Sequence, residues 1–285
     1  MTLRAEPITK PVAFHGEGPV WLGGPAGLRW VDQLNGDILS LDESGAVTRA
    51  HVGKVAAVIR PRRRGGTVIA TERALLLDDG DGRPGRALPD VFKDPSVRFN
   101  EGGCDPHGRL YVGTMAYDEA PGRGKLYRFD ADHSVSVVLA NVTVSNGLAW
   151  SPDGLVAYYI DSGTCRVDCF DYTSDGTLGN RRSFVDIAAE HGIPDGLAVD
   201  SDGGVWVALW GGSAVHRYTA AGDLDEVVTV PVSHVTACTF GGTDLTELYV
   251  TTSARGLDAE DEPLAGSLFR CTPGTRGLPV IAYAG

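Results

Sequence analysis

An oxygen-bearing residue followed eight positions later by a turn glycine recurs along this chain, and that spacing limits the possible folds more than any other feature. Asn100 stands eight residues before Gly108 in Asp-Pro-His-Gly, Asn146 eight before Gly154 in Ser-Pro-Asp-Gly, and Asp195 eight before Gly203 in Asp-Ser-Asp-Gly. Between the two members lies a short apolar run, such as Gly147-Leu148-Ala149-Trp150 or Gly196-Leu197-Ala198-Val199. Beyond the glycine a second run leaves, such as Arg109-Leu110-Tyr111-Val112 or Val205-Trp206-Val207-Ala208. These are strands joined by tight turns, because Gly and Asp accept turn conformations that other residues resist. No long stretch keeps a helical period, so the chain reads as all-β.

The unit repeats at intervals of 46 and 49 residues, from Asn100 to Asn146 and from Asn146 to Asp195. Glu17, in Gly16-Glu17-Gly18-Pro19-Val20-Trp21, lies 83 residues before Asn100, which is two units of the 40 to 50 residues usual for a propeller blade. Units near Val58 and Thr236 complete the series. The spacing predicts a six-bladed β-propeller occupying residues 1–285 as a single domain, a length that all-β domains commonly reach.

Equivalent places in a propeller stand at equal height around the central channel, so Glu17, Asn100, Asn146 and Asp195 are expected to converge on one mouth. Four such side chains gathered together are costly unless something compensates them. Two carboxylates and the Asn146 amide oxygen form an all-oxygen set suited to one hard divalent cation. Glu17, Asn146 and Asp195 are therefore the candidate metal ligands, with open positions left for water and a substrate carbonyl. The residue types leave the ion open among calcium, zinc, manganese, magnesium and iron(II).

Other readings are weaker. The net charge of −12 opposes phosphate contacts, and no nucleic-acid motif is present. No run of eighteen apolar residues and no apolar leader is visible, so a cytoplasmic protein without a membrane partner is expected. Five cysteines do not suggest a disulfide framework, and Cys165 and Cys169 are expected on one face of a strand as buried thiols. The cluster Arg60, Arg62, Arg63 and Arg64 before Gly65-Gly66 reads as a solvated hairpin turn. Asp78, Asp79 and Asp81 lack the spacing of an EF-hand and also read as a turn. Neither a Gly-x-Ser-x-Gly elbow nor a His-Glu-x-x-His helix occurs. Of the histidines, His15 and His234 could line the mouth, whereas His107 belongs to a turn.

Gly16-Glu17-Gly18-Pro19-Val20-Trp21, Arg98-Phe99-Asn100, Gly113-Thr114-Met115, Ser145-Asn146-Gly147 and Pro194-Asp195-Gly196 together resemble the regucalcin/gluconolactonase family, also called the senescence-marker-protein and luciferin-regenerating-enzyme family. The resemblance runs from about Phe14 to the end of the chain, and its strength lies in the order and spacing of the motifs. It implies a divalent metal held by Glu17, Asn146 and Asp195, with Arg98 and Asn100 contacting substrate and Asp195 as general base. Glu101 stands where Asp often follows the Asn, and Asp118 where a Glu follows Gly-Thr-Met. The loop Tyr117 to Gly124 is placed where a lid would cover the mouth.

The expected activity is opening of a small lactone, most simply a sugar lactone such as gluconolactone. The cation would polarise the carbonyl and acidify a water, and Asp195 would take its proton. Arg98, Asn100, Glu101 and Asp118 are polar and close in sequence, which suits a substrate with several hydroxyls. Hydrolysis of another ester or a phosphotriester, or a calcium-binding regulatory propeller without turnover, are the alternatives. A small-molecule partner is expected, and a monomer or small homo-oligomer.

Overall fold

Short strands that bury both faces must be packed against neighbours on both sides, and a closed ring of sheets satisfies that demand without a free edge at its centre. The computed structural model describes residues 2–24, 27–42 and 44–285 and shows this ring. Six sheets follow one another along the chain, and their innermost strands are Gly16–Trp21, Val58–Pro61, Val97–Cys104, Ser145–Trp150, Ile193–Val199 and Val235–Gly241. Each contains the unit start read from the sequence. All eight residues of Val97–Cys104 are buried, whereas the outermost strand of the same blade, Val135–Val142, is largely solvated.

The hydrophobic interior is divided between neighbouring blades. Trp206 and Val215 of blade five meet Phe240 and Val250 of blade six, and Leu28 and Trp30 of blade one meet Tyr249 and Leu268 of blade six. Val58 and Val68 of blade two meet Phe99 and Leu110 of blade three, and Tyr111 of blade three meets Trp150 of blade four. Each blade is thus held chiefly by the two beside it. Removing one such side chain to Ala would cost about 2–5 kcal/mol.

Closure uses the N-terminal segment. Strand β1 (Thr2–Arg4) adds parallel to Leu224–Thr229 at the outer edge of blade five, and β2 (Glu6–Pro7) adds antiparallel to Phe269–Cys271 of blade six. At the other end of the chain, Gly277 bridges to Asp200 of blade five and Tyr283 to Arg62 of blade two, so the tail crosses one face of the ring. Among the described residues, no helix is long and apolar enough to cross a membrane.

The recurrent turn has a specific chemistry. Asp105 Oδ1 accepts from the backbone N–H of His107 and Arg109 at 2.9 and 2.8 Å, and Asp200 Oδ1 accepts from those of Asp202 and Gly204 at 2.9 and 2.8 Å. Gly108 and Gly203 close these turns at φ of 86° and 82°, a region that side-chain-bearing residues rarely enter. The other oxygen of Asp200 accepts from Trp206 Nε1 and Arg217 Nε, tying the turn to the blade interior.

Two expectations are corrected here. Cys165 is not in a strand: it is exposed at the C-cap of the Ser162–Thr164 turn, at φ 52°, and only Cys169 is buried. The chain must reverse between the second and third strands of blade four, and Cys165 falls at that reversal. Nor is the arginine cluster uniformly solvated. Arg63 and Arg64 are exposed, but Arg62 pairs with Asp79 and Arg60 turns inward, donating to the carbonyls of Ile59 and Gly102 at 2.7 and 2.5 Å.

Burial alone would raise the Asp200 carboxyl, but the bonds from Arg217, Trp206 and Gly204 hold it below its ordinary value of 3.8. Their stabilisation is therefore in place at neutral pH and is lost as pH falls through the folded-state value. Asp200→Ala is expected to lower stability by about 3–5 kcal/mol in urea unfolding, because it leaves three N–H donors unpaired and takes from Arg217 one of its two carboxylate partners. The variant should also lose part of the wild-type decline below pH 3.8. An equal loss in the exposed neighbour variant Asp202→Ala would show that the Asp200 bonds are not the cause.

Candidate functional site

The polar residues reach the axis because each strand that carries one breaks its register there. Pairing with the second strand slips between Glu17 and Val20, between Phe99 and Gly102, between Ser145 and Leu148, and between Pro194 and Leu197. A bulge inserts residues that the partner strand does not match, which re-aims a side chain that regular alternation would direct elsewhere. The glycine after the polar residue allows neighbouring blades to close up. A Cβ at Gly147 would lie 2.6 Å from the Leu197 nitrogen, and one at Gly196 2.5 Å from the Ala237 Cβ.

Glu17, Arg98, Asn100, Asn146 and Asp195 line one cavity of about 340 Å³ at the mouth of the channel, together with His15, Ser162 and Trp210. All five are buried. Met115, Val144 and Ile193 add apolar surface, and Glu119 and Arg255 stand at its rim.

A chain of hydrogen bonds orients the amides across three blades. Arg98 donates to Asn100 Oδ1 at 2.7 Å, and Asn100 Nδ2 donates to Asn146 Oδ1 at 2.7 Å and to the Ser145 carbonyl at 2.9 Å. Asn146 Nδ2 donates to Ser162 Oγ at 2.8 Å, whose hydroxyl donates to the Pro194 carbonyl at 2.6 Å. Since that hydroxyl has spent its proton, it must accept from Asn146, which leaves the Asn146 oxygen on the side of Asn100 with a second lone pair free for a cation. The chain ends on the residue before Asp195.

Glu17 accepts only from its neighbour Gly18 N–H, and Asp195 Oδ1 is buried with no hydrogen-bond partner among the described residues. Burial, then repulsion from Glu101, pushes the Glu17 carboxyl well above its usual range. Burial, then Glu17 and Glu101, does the same to Asp195. An orphaned carboxylate oxygen beside a second carboxylate and an amide oxygen fits a divalent cation, which would relieve both penalties. Arg98 is lowered by burial to about 10 and remains cationic at neutral pH.

His15 is positioned through Asp32, whose Oδ1 accepts from the Phe14 and His15 backbone at 3.1 and 3.0 Å. Its Nδ1 lies 2.8 Å from Ser253 Oγ, and its ring stands edge-on to Trp210. Burial first, then Arg98 and Arg255, lowers it to about 3, so it is neutral. His234 stacks on Trp210 at 3.8 Å and does not line the cavity. His107 lies in the Asp105 turn.

Two sequence candidates are not brought to the mouth. Glu101 occupies the bulge position that is Gly18, Gly147 or Gly196 in other blades, and it opens on a separate cavity further down the axis. Asp118 is exposed and accepts from the Ala120 N–H of its own loop at 3.1 Å; the loop instead sends Glu119 to the rim, 3.3 Å from Arg255. Reasoning from the repeat missed Ser162, Trp210 and Arg255. Ser162 had a signal in the sequence, because Asp161-Ser162 repeats the place of Asp32-Gln33: Asp161 accepts from the backbone of Thr143 and Val144 as Asp32 does from Phe14 and His15. Trp210 and Arg255 had none, since they come from strand ends and loops of variable length.

A family model described as the SMP-30/Gluconolactonase/LRE-like region matches residues 15–254. The chain is 36% identical to regucalcin of Danio rerio over 294 residues, covering 100% of this chain and 99% of that protein. Among solved structures it is similar to a luciferin-regenerating enzyme, with a TM-score of 0.90, 32% identity and 98% of each chain covered. It is also similar to the calcium-binding protein regucalcin of Agrobacterium tumefaciens, with a TM-score of 0.92, 26% identity, and 99% of this chain and 98% of that one covered. A closed six-bladed propeller whose matched segment holds Glu17, Asn146 and Asp195 in one cavity thus belongs to the SMP-30/gluconolactonase/LRE-like family.

Proposed function

We propose that this protein is a divalent-cation-dependent lactonase acting on a small hydroxylated lactone. The observation that carries the reading is the orphaned Asp195 oxygen beside Glu17 and the Asn146 amide oxygen, in a cavity that also presents a buried arginine. Glu17, Asn146 and Asp195 would hold the cation, and the membership of the chain in its family supports the same set. When bound, such a cation supplies Lewis acidity toward a carbonyl and makes a water acidic near neutral pH.

The residues supply the rest. Arg98 directs guanidinium N–H groups at substrate oxygens as ring opening shifts charge onto them. Asn100, held from both sides by Arg98 and Asn146, keeps a fixed amide at the substrate's edge. Neither carboxylate oxygen of Asp195 accepts a hydrogen bond among the described residues, so one would face the cation while the other accepts a proton from the attacking water. Trp210, Met115, Val144 and Ile193 give the ring an apolar wall, a feature that the motifs did not show. The cavity is also open enough to admit a ligand, which favours an enzyme over a cation site with a purely regulatory role. The ion itself is settled by reconstituting apo-protein with calcium, magnesium, manganese, zinc or iron(II).

Three outcomes test this reading. Glu17→Gln and Asn146→Ala should each lose metal when assayed by elemental analysis after dialysis; stoichiometric metal with normal affinity in both variants would sink the ligand assignment. Arg98→Ala should retain metal while kcat/KM falls about 10- to 150-fold, the equivalent of about 1.5–3 kcal/mol for a charge-assisted contact. Loss of metal in that variant would mean that Arg98 acts by holding Asn100 and Asn146. Finally, five- and six-carbon aldonolactones should be opened with kcat/KM at least about tenfold above unsubstituted lactones of equal ring size, a difference of about 1.4 kcal/mol. Equal rates, or a preference for long-chain acyl lactones, would remove the sugar from the proposal.

A further inference from the structure

The mouth is not the only chamber on the propeller axis. Further along the same innermost strands lies a second cavity of about 600 Å³, to which every blade contributes: Val20, Arg60, Glu101, Leu148, Leu197 and Cys238, in blade order. Its volume falls within the range of about 300–1,000 Å³ usual for small-molecule sites. The C-terminal tail that crosses this face contributes Leu278 to Ile281 to the outer wall. None of the proposed metal ligands lines it.

Ser151, Asp153 and Thr239 line the chamber from exposed or half-buried positions; its buried wall is apolar with two exceptions, and their chemistry defines the ligand. Glu101 is 6% exposed, and its Oε2 has no hydrogen-bond partner among the described residues. Burying an acceptor without a donor is unfavourable, so the cavity favours a molecule that brings one. Arg60 does not serve as that donor: it makes no hydrogen bond to Glu101, and its two terminal nitrogens point at the carbonyls of Ile59 and Gly102. Its charge nevertheless matches that of Glu101, so the buried part of the chamber is neutral, while the exposed Asp153 is engaged by Ser151 and Leu155 of its own turn. A cationic head would leave it with an excess positive charge and an anionic head with an excess negative one. A neutral donor on an apolar body upsets neither balance.

We propose that this axial chamber is a second small-molecule site, which takes an apolar ligand carrying one neutral N–H or O–H donor directed at Glu101. The site has none of the proposed metal ligands in its wall. Leu148, Leu197 and Val20 contact the body of the ligand, and Trp21 and Trp150 in the same wall report on its entry.

Indole and benzofuran test this directly, because they share shape and differ in whether the ring carries an N–H. Calorimetric titration of the full chain at pH 8.5 should give saturable one-to-one binding of indole, accompanied by a change in tryptophan emission. Benzofuran should bind at least tenfold more weakly. Glu101→Met, which keeps the length and removes the acceptor, should erase the difference between the two, and Glu17→Gln should leave indole binding unchanged. Absence of saturable indole binding, or benzofuran binding as tightly as indole to the wild type, overturns the proposal even if the Glu101 variant fails to fold. Displacement of indole by calcium from the Glu17→Gln protein would overturn it as well, by assigning Glu101 to a cation.

Discussion

The register breaks in the innermost strands are the constraint on which the rest of the molecule depends. A strand with unbroken alternation would direct every second residue to the axis at regular intervals. The slips at Glu17, Phe99, Ser145 and Pro194 instead place one long polar side chain at the same height in four blades. The glycines that follow in blades four and five, Gly147 and Gly196, let adjacent innermost strands approach closely. Site and interblade packing therefore share the same few residues.

The bulge in blade three is the exception, and it divides the axis into two chambers. Where other blades have glycine, Glu101 extends away from the mouth, toward the level of Arg60 and the apolar side chains. Its charge is felt above as well, since Glu101 helps to raise both Glu17 and Asp195. Burial raises Glu101 itself to about 7, with Arg60 opposing the shift. One carboxylate thus contributes to the electrostatics of both chambers while lining only one. Each chamber also contains an arginine that hydrogen-bonds within the fold, Arg98 to the Asn100 amide and Arg60 to main-chain carbonyls. Both keep their positive charge beside the carboxylates, and Arg98, which bonds the fold through one terminal nitrogen, keeps its other N–H groups for a ligand.

Much of the architecture was legible because it follows from spacing. Turn aspartates such as Asp105 and Asp200 bind their own local backbone, so the hairpins can be read from neighbouring residues alone. The convergence of Glu17, Asn100, Asn146 and Asp195 follows from repeat equivalence, and Arg98 was expected beside them from the family resemblance. Asp118 and Glu101 show where that reasoning stops. A side chain's sequence distance from a motif does not state its direction, and here a loop turn presents Glu119 instead of Asp118 while a bulge turns Glu101 down the axis. Arg60 and Cys165 were misplaced for the same reason, one turned inward and the other at a chain reversal.

By itself the sequence determined the number of blades, the residues that start them and the oxygen-bearing side chains carried at four of those starts, because each of these depends on local turn chemistry repeated at a nearly constant period. Only the tertiary structure decided which polar groups share a chamber, which way the Asn146 amide faces, and which carboxylate oxygens are left without a donor. Those properties arise between blades that are 40 or more residues apart in the chain. They depend on side-chain direction and burial, which no spacing along a single strand encodes.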